Sequence, residues 1–354
     1  MNAQFTRHEL IFKQASGTSR GVLTTKETYL LEISENNKKG IGECAIFRGL
    51  SYDDMPDYEE KLTWLCKNIN LDFEVLKKEL LHYPSIIFGL EQALLNLEHG
   101  EDLYFPSDFT DGKDSIKING LIWMGNADFM QSQIEEKLAK GFDCIKLKIG
   151  VDWKSEKEII KKLREKFPKE QLELRVDANG AFSYEEARMV LQELADLGIH
   201  SIEQPIKKSQ VKTKKSQETD EINSTDYCVP WNEMAKLCAE TPTPIALDEE
   251  LIGIIDFEEK KKLLETIKPQ YIILKPALVG GFSGSDEWIA IAESLGINWW
   301  ITSALESNIG LNAICQYTYT KKNPLPQGLG TGALFTNNFE THLQLEGDQM
   351  WHKK

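Results

Sequence analysis

Apolar and polar positions change rhythm once along the chain, near residue 115. Before that point, residues 1 to about 50 are short, β-prone and partly alternating. ETYLLEIS (27–34) and GIGECAIF (40–47) flank the polar ENNKKG, whose closing Gly suits a hairpin. Three helical patterns follow. Asp53–Asn68 has acids early and apolar Leu62 and Leu65 with Ile69 just beyond; Asp72–Leu81 and Pro84–Leu97 come next, the last containing FGLEQALLNL. Strands followed by helices without alternation predict a small α+β domain over 1–114, ending in the polar linker EDLYFPSDFTDGKDS (100–114). From Ile116 the order becomes strand, helix, strand. The strand-like segments are IKINGLIWM, CIKLKIG, LELRVDAN, SIEQPI, PIALDEE, YIILKPAL, INWWITSAL and QGLGTGAL. Between them lie seven amphipathic stretches, among them Ala127–Lys140, Glu156–Lys166, Tyr184–Leu197 and Ser285–Leu295. Eight strands and seven helices predict an α/β fold, a modified TIM barrel of the (β/α)7β type, over 115–335. A doubly wound sheet would want a Gly-rich phosphate turn after its first strand, and the sequence has none.

The barrel strands end on charge. Asp177, Glu203, Asp248 and Lys275 each close an apolar segment, at intervals of 26, 45 and 27 residues. One βα unit takes roughly 25–30 residues, so the long interval is one unit plus an insertion. Lys207–Tyr227 (KKSQVKTKKSQETDEINSTDY), poor in apolar residues, supplies it and reads as a solvated excursion. Lys146 and Lys148 stand two apart in CIKLKIG, so in a strand they share a face. Any one of these acids alone would be an ordinary surface or capping carboxylate. Three on consecutive strands, converging at the barrel mouth, form an oxygen-ligand set suited to Mg²⁺. Without a cation they would repel one another. Lys148 and Lys275 then face each other across the metal, and a lysine near Mg²⁺ and another lysine has its neutral form favoured, as a general base requires. Lys146 taken alone would read as a snorkelling strand-end lysine. Asn179 and Glu249 are expected to support the ligands rather than to join them; Glu249 points to the other face if its strand continues.

Composition narrows the setting. Hydrophobic residues make up 41% and charged residues 27%, as in a globular protein, and the net charge of −15 argues against nucleic acid or an anionic membrane as partner. No apolar run approaches ~18 residues, the N-terminus MNAQFTRHEL has no apolar core of a signal peptide, and a cytoplasmic setting is expected. The six cysteines are scattered, without a CxxC pair, which fits free thiols. His8, His82, His99, His200, His342 and His352 occupy none of the strand-end positions, and no GxSxG elbow is present. A Schiff-base aldolase could use one of the lysines but would leave the three acids unexplained. The pattern leaves the oligomeric state open.

KLK, DANGAF, IEQP, LDEE and LKP, in this order, resemble the enolase superfamily in its muconate-lactonizing-like subgroup. Sites of that superfamily pair a Lys or His base with Mg²⁺ at an ene-diolate. GIGECAIFRGLS (40–51), FGLEQALLNL, INGLIWMG (118–125), SALESNIGL (303–311) and GLGTGALF (328–335) are similar, more narrowly, to the o-succinylbenzoate synthase family. The resemblance implies that the N-terminal domain is a capping domain to which the C-terminal segment 336–354 returns. It implies loss of water from a small carboxylate, 2-succinyl-6-hydroxy-2,4-cyclohexadiene-1-carboxylate, giving o-succinylbenzoate for menaquinone biosynthesis. Lys148 would be the base, Lys275 the stabilising charge on the opposite face, and Lys146 a support for the substrate carboxylate. Asp177, Glu203 and Asp248 would hold Mg²⁺, with Mn²⁺ as a substitute. Arg48, Gly49, Leu50 and Ser51 would close over the substrate, and Ser303, Glu306 and Ser307 would line its pocket. Racemisation of N-acyl amino acids or epimerisation of dipeptides could use the same site, with Lys148 and Lys275 each serving one face. A dipeptide epimerase usually carries an acid after its seventh strand for the substrate's amino terminus; Glu306 is the candidate here, and the sequence leaves its direction open.

Overall fold

The computed structural model describes residues 1–18, 21–123, 125, 127–209 and 231–353. Most of the insertion expected at Lys207–Tyr227 therefore lies outside the described residues.

The N-terminal part is an antiparallel sheet backed by helices. Strands β1 (Asn2–Thr18), β2 (Gly21–Glu35) and β3 (Lys38–Cys44) pair in that order. The β2–β3 turn is tighter than the sequence suggests. It is the pair Asn36–Asn37, at φ 49° and 65°, and Gly40 already belongs to the ladder. A two-residue hairpin needs positive φ at both positions to match the strand twist, and Asn tolerates it. Helices α1 (Tyr58–Asn68), α2 (Phe73–Glu79) and α3 (Pro84–His99) cover the sheet. Their shared core joins Tyr29, Leu31 and Ile33 of β2 to Leu62, Leu65, Ile86 and Leu90. Helix α1 starts later than its periodicity predicts because Asp53 is spent elsewhere: its buried carboxylate accepts hydrogen bonds from Ser85 N–H (2.9 Å) and Ser85 Oγ (2.6 Å). Helix α3 lies directly on β3, where a Cβ on Gly42 would stand 1.9 Å from the Gly89 carbonyl oxygen.

The remaining elements run β4 (Ile116–Lys117), β5 (Gly120–Ile122), α4 (Ala127–Ala139), β6 (Cys144–Lys148), α5 (Trp153–Lys166), β7 (Glu173–Asp177), α6 (Tyr184–Asp196) and β8 (Ser201–Glu203). They continue as α7 (Asn232–Glu240), β9 (Ile245–Leu247), α8 (Phe257–Ile267), β10 (Tyr271–Leu274), α9 (Pro276–Val279), α10 (Gly281–Ser294), β11 (Asn298–Ile301), α11 (Asn308–Lys321), β12 (Leu343–Glu346) and β13 (Gln349–His352). Among the described residues, β5 to β11 form one parallel sheet in sequential order. The predicted eighth strand is reduced to two bridges, Gln327 to Ile118 on one side and Gly328 to Thr302 on the other. These close the sheet into the (β/α)7β barrel. A side chain at 328 would meet Thr302 Oγ1 at 2.3 Å, and the chain then turns away instead of pairing further. Outward-facing Ile145, Leu147, Leu174, Val176, Ile202, Leu247, Ile272 and Leu274 pack beneath the helices, while Ala246, Ile273 and Trp300 form a separate cluster in the barrel. Arg175 lies over the Trp300 ring at 4.3 Å in that interior. Alternation along each strand thus sends alkyl groups out and the charged residues in.

Helix caps explain the shifted boundaries. Helix α5 begins at Trp153, ahead of its apolar period, because Asp152 accepts from Ser155 N–H and Glu156 accepts from the N–H groups of Gly150, Val151 and Asp152. Ser183 and Glu186 form a capping box on α6. Cys44, Cys66, Cys144, Cys238 and Cys315 are free thiols. No helix among the described residues is long and apolar enough to cross a membrane. The C-terminal segment divides its contacts. Phe335 bridges Phe12 of β1 and Asn337 bonds to Glu9 and Ile11, whereas the β12–β13 hairpin adds to β4, just ahead of the first strand of the barrel sheet.

Candidate active site

Strand register assembles the charged residues. Lys148, Asp177 and Glu203 are successive Cα partners across β6, β7 and β8. Asp248 and Lys275 follow the last residues of β9 and β10. All three carboxylates are buried, at 2% exposure each. Lys146 Nζ contacts Asp177 Oδ2 at 2.9 Å and also reaches Glu203 Oε2. Lys148 Nζ donates to Asn179 Oδ1 (2.6 Å) and to Asp177 Oδ2 (3.2 Å). On the far side Lys275 Nζ pairs with Asp248 Oδ2 and stands 3.7 Å from Glu203 Oε1. One cavity is lined by Lys146, Lys148 and Lys275 together with Asp177, Asn179 and Glu249.

Buried charge shifts protonation in opposite directions within this cluster. Burial disfavours the Asp177 carboxylate, but Lys146, Lys148 and Lys275 more than offset it and hold the group well below the usual range. Glu203 is pushed up to about 7 by burial and by the Asp177 charge beside it, against the pull of Lys146 and Lys275. Burial also raises Asp248, with Lys275 opposing. Burial would lower Lys146 and Lys275, yet Asp177 and Glu203 for the first, and Asp248 and Glu203 for the second, raise both. In this arrangement the carboxylates around Lys275 outweigh the neighbouring ammonium groups.

The donor set fits a hard divalent cation. Three carboxylates arrive from three adjacent strands, and the buried Glu203 Oε1 accepts no hydrogen bond. The Lys146 and Lys275 ammonium groups lie between the acids. Two neighbours brace the cluster. Gln204, at φ 40°, accepts through Oε1 from the N–H groups of Asp248 (3.3 Å) and Glu250 (3.2 Å). Asn179, at φ 44°, binds Lys148 through Oδ1 and donates to Glu249 Oε1 at 3.1 Å. Glu249 lines the cavity because the strand does not continue past Leu247: residues 249–251 form a 3-10 turn that swings the side chain inward.

The expected loop residues separate. Leu50 lines the cavity with Phe47, and Ser303 with Ala304 and Leu305. Arg48 does not; its guanidinium is held by Glu27 (Nε 3.0 Å) and Asp54 (Nη1 2.8 Å). Gly49 and Ser51 are also absent from the lining: Gly49 N–H donates to Asp54 and Ser51 Oγ accepts from Phe47 N–H, which shapes the turn. Glu306 is fully buried and turned back, accepting from Ser303 Oγ (2.6 Å) and Ala304 N–H (2.7 Å). Ser307 caps α11 and bonds to Glu43. The sequence reading did not single out Asn119, Leu121, Trp123, Thr302, Gly328, Gly330 or Thr331, all in the lining. For Asn119, Leu121 and Trp123 the signal was present: they alternate along one strand and so share a face.

Residues 130–222 and 228–349 match the family model described as enolase C-terminal domain-like, and residues 2–97 match the MenC N-terminal domain. The chain is 42% identical to the o-succinylbenzoate synthase of Desulfotalea psychrophila, with 98% of each chain covered. The crystal structure of MenC from that organism superposes with a TM-score of 0.84 at 40% identity, covering 99% of both chains. An N-succinylamino acid racemase of Thermus thermophilus is 34% identical over 50% of this chain and 40% of its own length. An o-succinylbenzoate synthase structure from Thermosynechococcus elongatus, described with Mg in the active site, shares the fold at a TM-score of 0.72 and 21% identity, covering 95% of this chain and 96% of its own. With a full-length relative at this identity and family models on both domains, the chain belongs to the o-succinylbenzoate synthase family of the enolase superfamily.

Proposed function

We propose that the chain is a Mg²⁺-dependent lyase that removes water from 2-succinyl-6-hydroxy-2,4-cyclohexadiene-1-carboxylate, giving o-succinylbenzoate for menaquinone biosynthesis. The full-length 42% identity to an o-succinylbenzoate synthase carries this reading. Asp177, Glu203 and Asp248 would hold the metal, which supplies positive charge to the enolate that develops when the α-proton leaves. Mn²⁺, of equal charge and similar taste for oxygen, is expected to substitute.

The protein's own groups supply the rest. Lys148 takes the proton α to the carboxylate, and Asn179 fixes the ammonium by its 2.6 Å contact. Once protonated, Lys148 is also a donor near the departing hydroxide. Lys275 faces the opposite side of the same cavity and stabilises the negative charge without moving a proton. Lys146, deeper and paired with Asp177 and Glu203, adds the charge that holds a carboxylate in the cavity. Phe47, Leu50 and Trp123 give the ring an apolar wall.

Racemisation of an N-acyl amino acid is the second reading, favoured by one observation: Lys148 and Lys275 line one cavity. The inward-turned hydrogen bonds of Glu306 speak against a dipeptide epimerase, because that carboxylate does not reach the cavity. Turnover of the cyclohexadiene substrate should be measured beside a panel of N-acyl amino acids, before and after EDTA and with Mg²⁺ or Mn²⁺ restored. Dehydration lost to EDTA and regained with metal is expected. Turnover of the acyl amino acids alone would replace the lyase reading, and full activity in EDTA would remove the metal.

A further inference from the structure

A second constellation of ligand-type side chains lies far along the chain from the strand-end acids. Asp102 stands in the linker after α3, His342 just before β12 and His352 at the end of β13. Both imidazoles converge on one carboxylate oxygen. His342 Nδ1 is 2.6 Å and His352 Nε2 3.1 Å from Asp102 Oδ2, and one atom of each residue lies within 4.8 Å of the others. Among the described residues, no other set of three His, Cys, Asp or Glu side chains converges this closely.

The site is built rather than accidental. His352 is fully buried, its ring beside Phe109 at 5.9 Å. The Asp102 carbonyl accepts from Asn312 (2.9 Å) and Gln316 (2.8 Å) of α11, which fixes the residue against the barrel. Asp102 Oδ1 is buried and makes no hydrogen bond, and His352 Nδ1 likewise has none. A buried carboxylate oxygen without a partner is unfavourable, and a cation at this centre would satisfy it. His342 keeps 44% of its side chain exposed, which leaves a path to solvent.

We propose that Asp102, His342 and His352 form a second metal site, selective for a borderline first-row divalent cation such as Zn²⁺, that ties the C-terminal hairpin to the linker between the two domains. The donor set is two imidazoles and one carboxylate, with a fourth position toward water on the His342 side, which is a common three-ligand arrangement for Zn²⁺. Imidazole suits Zn²⁺, Ni²⁺ and Cu²⁺ but not Mg²⁺, so this site and the all-carboxylate site would sort metals by ligand type. A cation at ~2.0–2.1 Å from each donor atom would draw the linker carboxylate and the two hairpin imidazoles around one centre. Its role is a cross-link, since no side chain of this cluster lines the cavity with Lys148 and Lys275.

The test is a calorimetric Zn²⁺ titration of untagged, full-length protein saturated with Mg²⁺, with melting temperature recorded at each addition. One Zn²⁺ per chain and a rise in melting temperature are expected. His342→Gln and Asp102→Asn should each weaken that affinity at least ~10-fold and leave the dehydration rate unchanged. His342 is exposed enough for its variant to fold. As an independent readout, Co²⁺ added to the Mg²⁺-saturated wild type should give the visible bands of a four-coordinate site. Absence of Zn²⁺ binding, absence of the Co²⁺ bands, or equal Zn²⁺ affinity in wild type and His342→Gln would each overturn the proposal.

Discussion

Glu43 joins the two domains through one carboxylate, and replacing it with Gln tests how that joint sustains the site. The side chain leaves β3 fully buried and reaches the start of α11, 264 residues on. Its Oε1 accepts from Thr28 Oγ1 (2.8 Å) and Ser307 N–H (3.0 Å); its Oε2 accepts from Ser307 Oγ (2.5 Å) and Gly310 N–H (2.9 Å). The hydroxyls can turn around to suit an amide, but the two N–H groups cannot. Either orientation of a Gln amide therefore points NH2 at a backbone N–H. One buried, unsatisfied N–H costs ~1–3 kcal/mol, and loss of the negative charge at a helix N-terminus adds ~1 kcal/mol. The sum is ~2–4 kcal/mol. Unfolding entropy of ~2.1 cal/mol/K per residue over 354 residues gives ~0.74 kcal/mol/K, so the melting temperature should fall by ~3–5 °C. Ser307 also ends the loop carrying Ser303, Ala304 and Leu305 into the cavity, so kcat/KM should fall as that wall loosens. Differential scanning calorimetry and steady-state kinetics, both at saturating Mg²⁺, measure the two effects. A melting temperature within 1 °C of wild type together with unchanged kcat/KM would refute the reasoning.

Three further outcomes are expected. Lys148→Ala should abolish dehydration, whereas Lys275→Ala, on a ligand with an exchangeable α-proton, should keep slow solvent exchange followed by NMR; complete loss in both would indicate two true bases. Glu91 is pushed up to about 7 by burial, against hydrogen bonds from Ser283 and Phe282. Its neutral form is favoured in the fold, so its stabilising contribution is full below about pH 4.5 and lost as pH rises through about 7. The stability advantage of wild type over Glu91→Gln should therefore shrink by about 2 kcal/mol between about pH 5.5 and 8, and a constant difference in urea unfolding would contradict this. Gly42→Ala places a methyl against the Gly89 carbonyl at 1.9 Å, with backbone on both sides, and should cost about 3 kcal/mol or more in thermal unfolding; a wild-type melting temperature would show that α3 can yield.

Much of the barrel and of its charged mouth was legible in the sequence because the governing signals are local. Hydrophobic period and βα spacing depend on near neighbours, and alternation sends Lys146 and Lys148 to one face of β6 wherever that strand lies. Parallel pairing in order then sets Lys148 beside Asp177 and Asp177 beside Glu203 without further information. Segments that leave the regular elements carry no such rule. Arg48, Glu306 and Ser307 sit in loops, and their directions follow partners supplied by packing: Glu27 and Asp54 for the first, Ser303 and the Ala304 N–H for the second, Glu43 for the third. Glu249 turned inward because a 3-10 turn replaced the expected strand. The eighth strand shrank to two bridges because Gly328 lies against Thr302. The meeting of Asp102 with His342, 240 residues apart, exists only once the C-terminal hairpin has docked on β4. Sequence alone thus determined the elements, their order and the charges at their ends, where the physics is periodic and short-range. Tertiary structure decided the direction of loop side chains and every contact between distant segments, because those depend on which surfaces packing brings together.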